Sequence, residues 1–175
     1  MSGIQRISHV GIHVFDLDVA KAFYTDVVGL TVTDQNLDRG MVFMSSHPEA
    51  EHHELLLCAG RGADRDDKLL QQISFRVDTL RSLLEYRDRF EHEGVPLDMV
   101  VSHGNAIGIY FYDPDGNRIE VFWGTGLDAH QVFLHSIDLS LPENEIVAEV
   151  ERQVALYRET GVIEEDFMHK QHLDQ

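Results

Sequence analysis

At 175 residues, 43% hydrophobic and 26% charged, the chain suits one domain or two small fused modules able to bury a sizeable core. Fourteen Lys and Arg against 31 Asp and Glu leave a formal net charge of -17, which repels nucleic acid and anionic membrane surfaces and excludes both as favoured partners. A single cysteine, Cys58, allows no internal disulfide, and the start MSGIQRISHV has neither a secretory pattern nor an apolar span of about 18 residues, so the expected compartment is the cytoplasm.

The first segment, ISHVGIHVF, alternates as a strand does: Val10, Ile12 and Val14 point one way, His9, Gly11 and His13 the other. DLDVAKAFYTDVVGL follows, with Asp16 or Asp18 as N-cap, Ala20, Phe23, Tyr24 and Val27 at helical spacing, and Gly29 as the stop. LTVTDQ, GMVFMSS and HHELLLCAG read as three strands, which makes the unit β-α-β-β-β. After the linker GRGADRDDK the order recurs. QQISFRV is a strand, and TLRSLLEYRDRFEHEG is a helix with Leu80, Leu83, Leu84, Arg87 and Phe90 on one side and Gly94 at its end. LDMVVSH, AIGIYFYD and NRIEVFW are three further strands. Overlaying the copies sets His9 on Gln72, Gly29 on Gly94 and Glu54 on Glu120, at separations of 63, 65 and 66 residues, the signature of a duplicated unit.

Beyond Trp123 the character changes. Residues 124–139 read as irregular. SLPENEIVAEVERQVALYRETG then predicts a helix over about 141–160, with a capping box of Ser140 and Glu143 and a stripe of Ile146, Val147, Val150, Val154 and Tyr157. That stripe needs a cover, which argues for a homo-oligomer, although packing on its own domain is the alternative. The tail VIEEDFMHKQHLDQ has little periodicity and reads as weakly ordered or dependent on a partner. The expected fold is α+β, two βαβββ modules (about 4–60 and 70–124, within a domain 1–124) forming a shared metal-bearing cavity, plus a C-terminal helical extension over 125–175.

On this plan the polar strand faces carry His9, Gln72 and Glu120, three nitrogen or oxygen donors on rigid strands. Glu120 is the most telling, because between Ile119 and Val121 its carboxylate would be costly to bury without a cation or a partner. The ordinary reading of a strand histidine such as His9 is a hydrogen-bonded surface residue. His13 reads as a wall or rim residue, and His47, His92, His130, His135, His169 and His172 as solvated.

The duplication, the opening HVGIHVFDLDVAKAFYTDVVGL and the later DPDGNRIEVFW resemble the vicinal oxygen chelate superfamily over about residues 4–124. That superfamily contains glyoxalase I, fosfomycin-resistance proteins, methylmalonyl-CoA epimerase and type I extradiol dioxygenases. The resemblance implies one divalent metal held by His9, Gln72 and Glu120, with Glu54 an optional fourth ligand. VSHGNAIGIYFYDPDGNRIE further resembles the ring-cleavage signature of extradiol dioxygenases through Val101, His103, Ile109, Tyr110, Asp113, Pro114, Gly116 and Glu120. HHELLLC resembles their His-His segment, and single-domain members are the nearest in pattern. The implied activity is extradiol ring cleavage of a catechol-like aromatic by O2 in aromatic catabolism, with Fe(II) favoured over Mn(II), Zn(II) or Ni(II). His103 and Tyr110 would bond the substrate and His53 would move protons. Strand alternation sets His53 against Glu54, since both cannot face one ion in a regular strand. Gln72 departs from the histidine of the extradiol pattern and points toward a glyoxalase-like or epimerase-like lyase or isomerase. A non-catalytic small-molecule binding protein is the third alternative.

Overall fold

The computed structural model of the chain describes residues 6–64, 67 and 70–168. His169, His172 and part of the predicted linker lie outside the described residues. The chain divides into two compact units, Met1–Leu69 with Asp113–Asn117, and Leu70–Tyr112 with Arg118–Gln175.

In the first unit, β1 (Val10–Val14) leads into α1 (Leu17–Ala22), which runs on as a π turn over Phe23–Val27. Asp16 is the N-cap, its carboxylate accepting the backbone N–H groups of Asp18 and Val19 and so satisfying donors that the first helical turn leaves free. Gly29, at φ 87°, makes the turn out of the helix in a conformation that other residues resist. Then come β2 (Thr31–Asn36), β3 (Met41–Ser45) and β4 (Leu55–Ala59), in sheet order β1-β4-β3-β2 with β1 parallel to β4. The alternation of β1 buries Ile12 and Val14, which join Ala20, Tyr24, Val42, Met44, Leu55 and Leu57 in the core. The predicted strand HHELLLCAG is shortened at its front, because His52, His53 and Glu54 lie before the ladder begins at Leu55.

The second unit repeats the plan. Its elements are β5 (Ile73–Val77), α2 (Leu80–Glu93), β6 (Leu97–Ser102), β7 (Ala106–Tyr112) and β8 (Arg118–Gly124), with β5 parallel to β8. The strand order β5-β8-β7-β6 matches β1-β4-β3-β2. Leu80, Leu83, Leu84 and Phe90 are buried on α2, and the Phe90 ring lies 4.5 Å from that of Phe111, so the helix covers one face of the sheet. Arg87, predicted on that apolar side, instead donates to the Leu139 carbonyl.

Past Gly124 the structure is richer than the sequence suggests. The stretch read as irregular contains β9 (Phe133–Ser136), which pairs with β6, and α3 (Glu143–Tyr157) follows. Ser140 does not form the predicted capping box: its N–H donates to the Asp138 carboxylate, and Pro142 holds the N-cap position with no side-chain cap. Ile146, Val150 and Val154 of the stripe are buried within the chain together with Gln153, so the apolar face that argued for an oligomer already has a cover. The described part of the tail carries two elements: β10 (Val162–Ile163) pairs with β9, and α4 (Glu165–Met168) buries Phe167. No helix among the described residues is long and apolar enough to cross a membrane.

Candidate active site

In the second unit, ladder register gathers the polar side chains. Tyr110 on β7 and Ser74 on β5 both stand opposite Glu120 on β8, and residues directly opposite share a face. Phe111, one step along β7, therefore faces α2, while Tyr110 and Glu120 face away from it. Glu120 is only 5% exposed. Its carboxylate accepts hydrogen bonds from Ser74 Oγ and from Gln72 Nε2, the latter at 3.0 Å, and His103 Nε2 lies 3.7 Å from its other oxygen. Burial works against the charge, but the hydrogen bonding around it, that of Ser74 included, outweighs it and holds the carboxyl below the usual carboxylate range. Gly108 makes room for this group: a Cβ there would run into Glu120 Oε1.

His103 has a defined orientation. Its Nδ1 lies 3.0 Å from the Phe133 carbonyl, an acceptor only, so Nδ1 carries the proton. Nε2 then presents its lone pair to the Tyr110 hydroxyl at 3.0 Å. Burial, followed by the charge of Glu120, raises the Tyr110 phenol well above its ordinary value, so the hydroxyl stays a donor. Arg118 packs its guanidinium 4.3 Å over the Tyr110 ring and bonds Asp98 at 3.0 Å, which clamps the phenol from its face.

In the first unit, His9 and His53 stack at 4.3 Å between ring centroids, and His53 Nδ1 lies 2.9 Å from His52 Nδ1. Burial, then the neighbouring imidazoles of His9 and His52, hold His53 below the ordinary histidine value and favour its neutral form. Glu54 is committed elsewhere, accepting the Ser46 N–H at 2.8 Å and the hydroxyls of Ser45 and Ser46. Burial opposes its charge, and these hydrogen bonds nevertheless hold its carboxyl below the ordinary range. The choice posed by strand alternation thus sets His53 beside His9 and turns Glu54 to the end of β3. His13 is exposed, with Nδ1 3.4 Å from the Ala59 carbonyl.

The structure therefore brings Gln72, His103, Tyr110 and Glu120 together in one unit and His9 with His53 in the other. Ser74, Gly108 and Arg118 escaped sequence reasoning. Ser74 sits two residues from Gln72 on the same strand face, a period-two signal that would have found it. Among the described residues no three His, Cys, Asp or Glu side chains group as a metal cluster, a set of residue types that leaves out Gln72. The donor types do fit a divalent ion: a buried, ionised carboxylate with a glycine cradle beside it, an amide and an imidazole.

Residues 6–121 match the family described as Glyoxalase/Bleomycin resistance protein/Dioxygenase superfamily, and the chain belongs to that superfamily. Biphenyl-2,3-diol 1,2-dioxygenase 3 of Rhodococcus globerulus is 26% identical over 126 residues, which cover 69% of this chain and 64% of that protein. The 1,2-dihydroxynaphthalene dioxygenase of Sphingobium xenophagum is 25% identical over 138 residues, 76% of this chain and 44% of its own. The chain thus spans less than two thirds of the length of these relatives. Among solved structures, a lactoylglutathione lyase from Agrobacterium tumefaciens superposes with a TM-score of 0.55 at 26% identity, over 70% of this chain and 96% of that one.

Proposed function

We propose that the protein is a metal-dependent, extradiol-type ring-cleavage dioxygenase acting on a catechol-like small aromatic. The observation that carries this reading is the His103–Tyr110–Glu120 constellation, in which a tautomer-fixed imidazole, a phenol held protonated and a buried carboxylate converge on one sheet face. Glu120 and Gln72 would hold the ion, with Fe(II) favoured, and the ion when bound supplies the redox-active centre at which diol and O2 react. The chain's own residues do the rest. Tyr110 donates a hydrogen bond to a substrate oxygen, and His103 Nε2 accepts a diol proton and returns it. One ring carbon–carbon bond breaks and both atoms of O2 enter the product, so no co-reductant is needed.

A second reading, a glyoxalase-like lyase or isomerase, draws on Gln72, which stands where the extradiol pattern has histidine, and on the likeness to the lyase structure. The test is anaerobic loading with Fe(II) followed by oxygen-electrode assays over a panel of catechols, with hemithioacetal turnover under Ni(II) or Zn(II) run in parallel. Oxygen uptake that disappears in Glu120→Ala supports ring cleavage. Hemithioacetal turnover with no uptake on any diol assigns the chain to the second reading.

A further inference from the structure

The segment after α3 lies outside the duplicated plan, yet it reaches the site face. β10 pairs in parallel with β9 through Val162–Phe133 and Ile163–Leu134. Glu164 fastens it: its N–H donates to the Leu134 carbonyl at 3.0 Å, and its carboxylate accepts the Ser136 N–H at 2.7 Å and meets His135 Nε2 at 3.0 Å. One turn later Phe167, 6% exposed, joins Met99, Val101, Tyr110 and Leu134 in a single apolar cluster, with Ile163 packed against it.

Register identifies the face. Met99 and Glu120 both stand opposite Tyr110, and Val101 stands opposite both Gly108 and Ser136. Met99, Val101 and Leu134 therefore share the face of Tyr110 and Glu120. Phe133, next to Leu134 and so on the other face, has its ring 6.4 Å from that of Tyr157 on α3. The extension thus straddles β9, with α3 on the far side and Phe167 on the site side.

We propose that Phe167 sets the size of aromatic substrate that the Tyr110–Glu120 face accepts, an inference that rests on the ring-cleavage reading for its ligand class. A buried ring in the same cluster as Tyr110 occupies the volume that a ring substituent of a diol would need. Truncating it leaves an apolar void, and such voids take up apolar ligands. A catechol bearing a second ring should gain, while unsubstituted catechol should not.

The experiment compares full-length wild type, Phe167→Leu and Phe167→Ala, all loaded with Fe(II). Anaerobic Kd and aerobic kcat/KM are measured for catechol and for biphenyl-2,3-diol, with circular dichroism to confirm folding. The expected result is a shift of about tenfold in the biphenyl-diol to catechol preference in Phe167→Ala, and a smaller shift in the same direction in Phe167→Leu. Should Phe167→Ala fail to fold, the Phe167→Leu shift decides. An unchanged ratio in folded variants that turn over diols overturns the inference and leaves the ring-cleavage reading standing. A shifted Kd ratio with no turnover by any form supports the inference and overturns the reaction. No diol binding to any form overturns both.

Discussion

Glu120 carries a charge at 5% exposure because donors converge on it, and each donor can be removed singly. An unpaired buried carboxylate would be costly, so the local structure is arranged around keeping it paired. Gly108→Ala should force the carboxylate aside without disturbing the backbone, since that glycine has no positive φ to protect. The expected outcome is metal affinity lowered by about 10–100-fold, as for groups that orient ligands, with an unchanged circular dichroism spectrum, checked by titrating Fe(II) anaerobically. Wild-type affinity in that variant would mean that the ion does not use Glu120. Ser74→Ala removes one hydrogen bond from the other oxygen of the same carboxylate and should weaken metal binding in the same direction. Tyr110→Phe keeps the apolar packing and deletes the donor, so kcat should fall by about 10²-fold or more while the melting temperature changes little. These residues differed in how well the sequence exposed them. Glu120 stood out because a charge in an apolar strand needs a reason, and His103 and Tyr110 through the resemblance to the ring-cleavage signature. Gly108 and Arg118 did not, because only the ladder register reveals whose side chain lies over a glycine or a ring.

At the level of elements, the turn at Asp113–Asn117 links local chemistry to the strand that carries Glu120. Asp113 accepts the N–H groups of Asp115 and Asn117 and, at 2.8 Å, the hydroxyl of the fully buried Tyr24, while Arg61 donates to the Asp115 carbonyl at 2.8 Å. Tyr24→Phe leaves that charged acceptor one donor short and should cost about 1.5–3 kcal/mol, measured by urea unfolding. On α3, Ile146→Ala should cost about 2–5 kcal/mol, because the side chain is fully buried within its own chain. The solution mass of that variant should equal that of wild type; a change in mass would return the stripe to an interface. Strands and helices with strong periodicity were legible: Ile12 and Val14 alternate, Leu80, Leu83, Leu84 and Phe90 repeat along one side, and Asp16 caps. β9 and β10 were not, because four and two residues are too few to establish a period, and their pairing comes from β6 and from each other. The Ser140 cap failed for a local reason: Asp138 takes its N–H first.

Across the whole molecule, duplication is what made the architecture readable, since the equal strand orders β1-β4-β3-β2 and β5-β8-β7-β6 follow from residues recurring at nearly constant separation. The two copies nevertheless differ in local bonding. Glu54 and Glu120 occupy equivalent places, yet one is tied to Ser45 and Ser46 at the end of β3 while the other lies in a buried cradle with His103 and Tyr110. Sequence distance carries no information about which of two equivalent carboxylates finds local donors. The functional account stands or falls on whether the chain breaks an aromatic ring with molecular oxygen. The most direct measurement is mass spectrometry of the product formed from a catechol and ¹⁸O₂ by the Fe(II)-loaded protein. The account predicts both labelled atoms in a ring-opened product, with product formation lost in Glu120→Ala. Recovery of unlabelled, intact catechol from the wild type under conditions where Fe(II) is bound would contradict it.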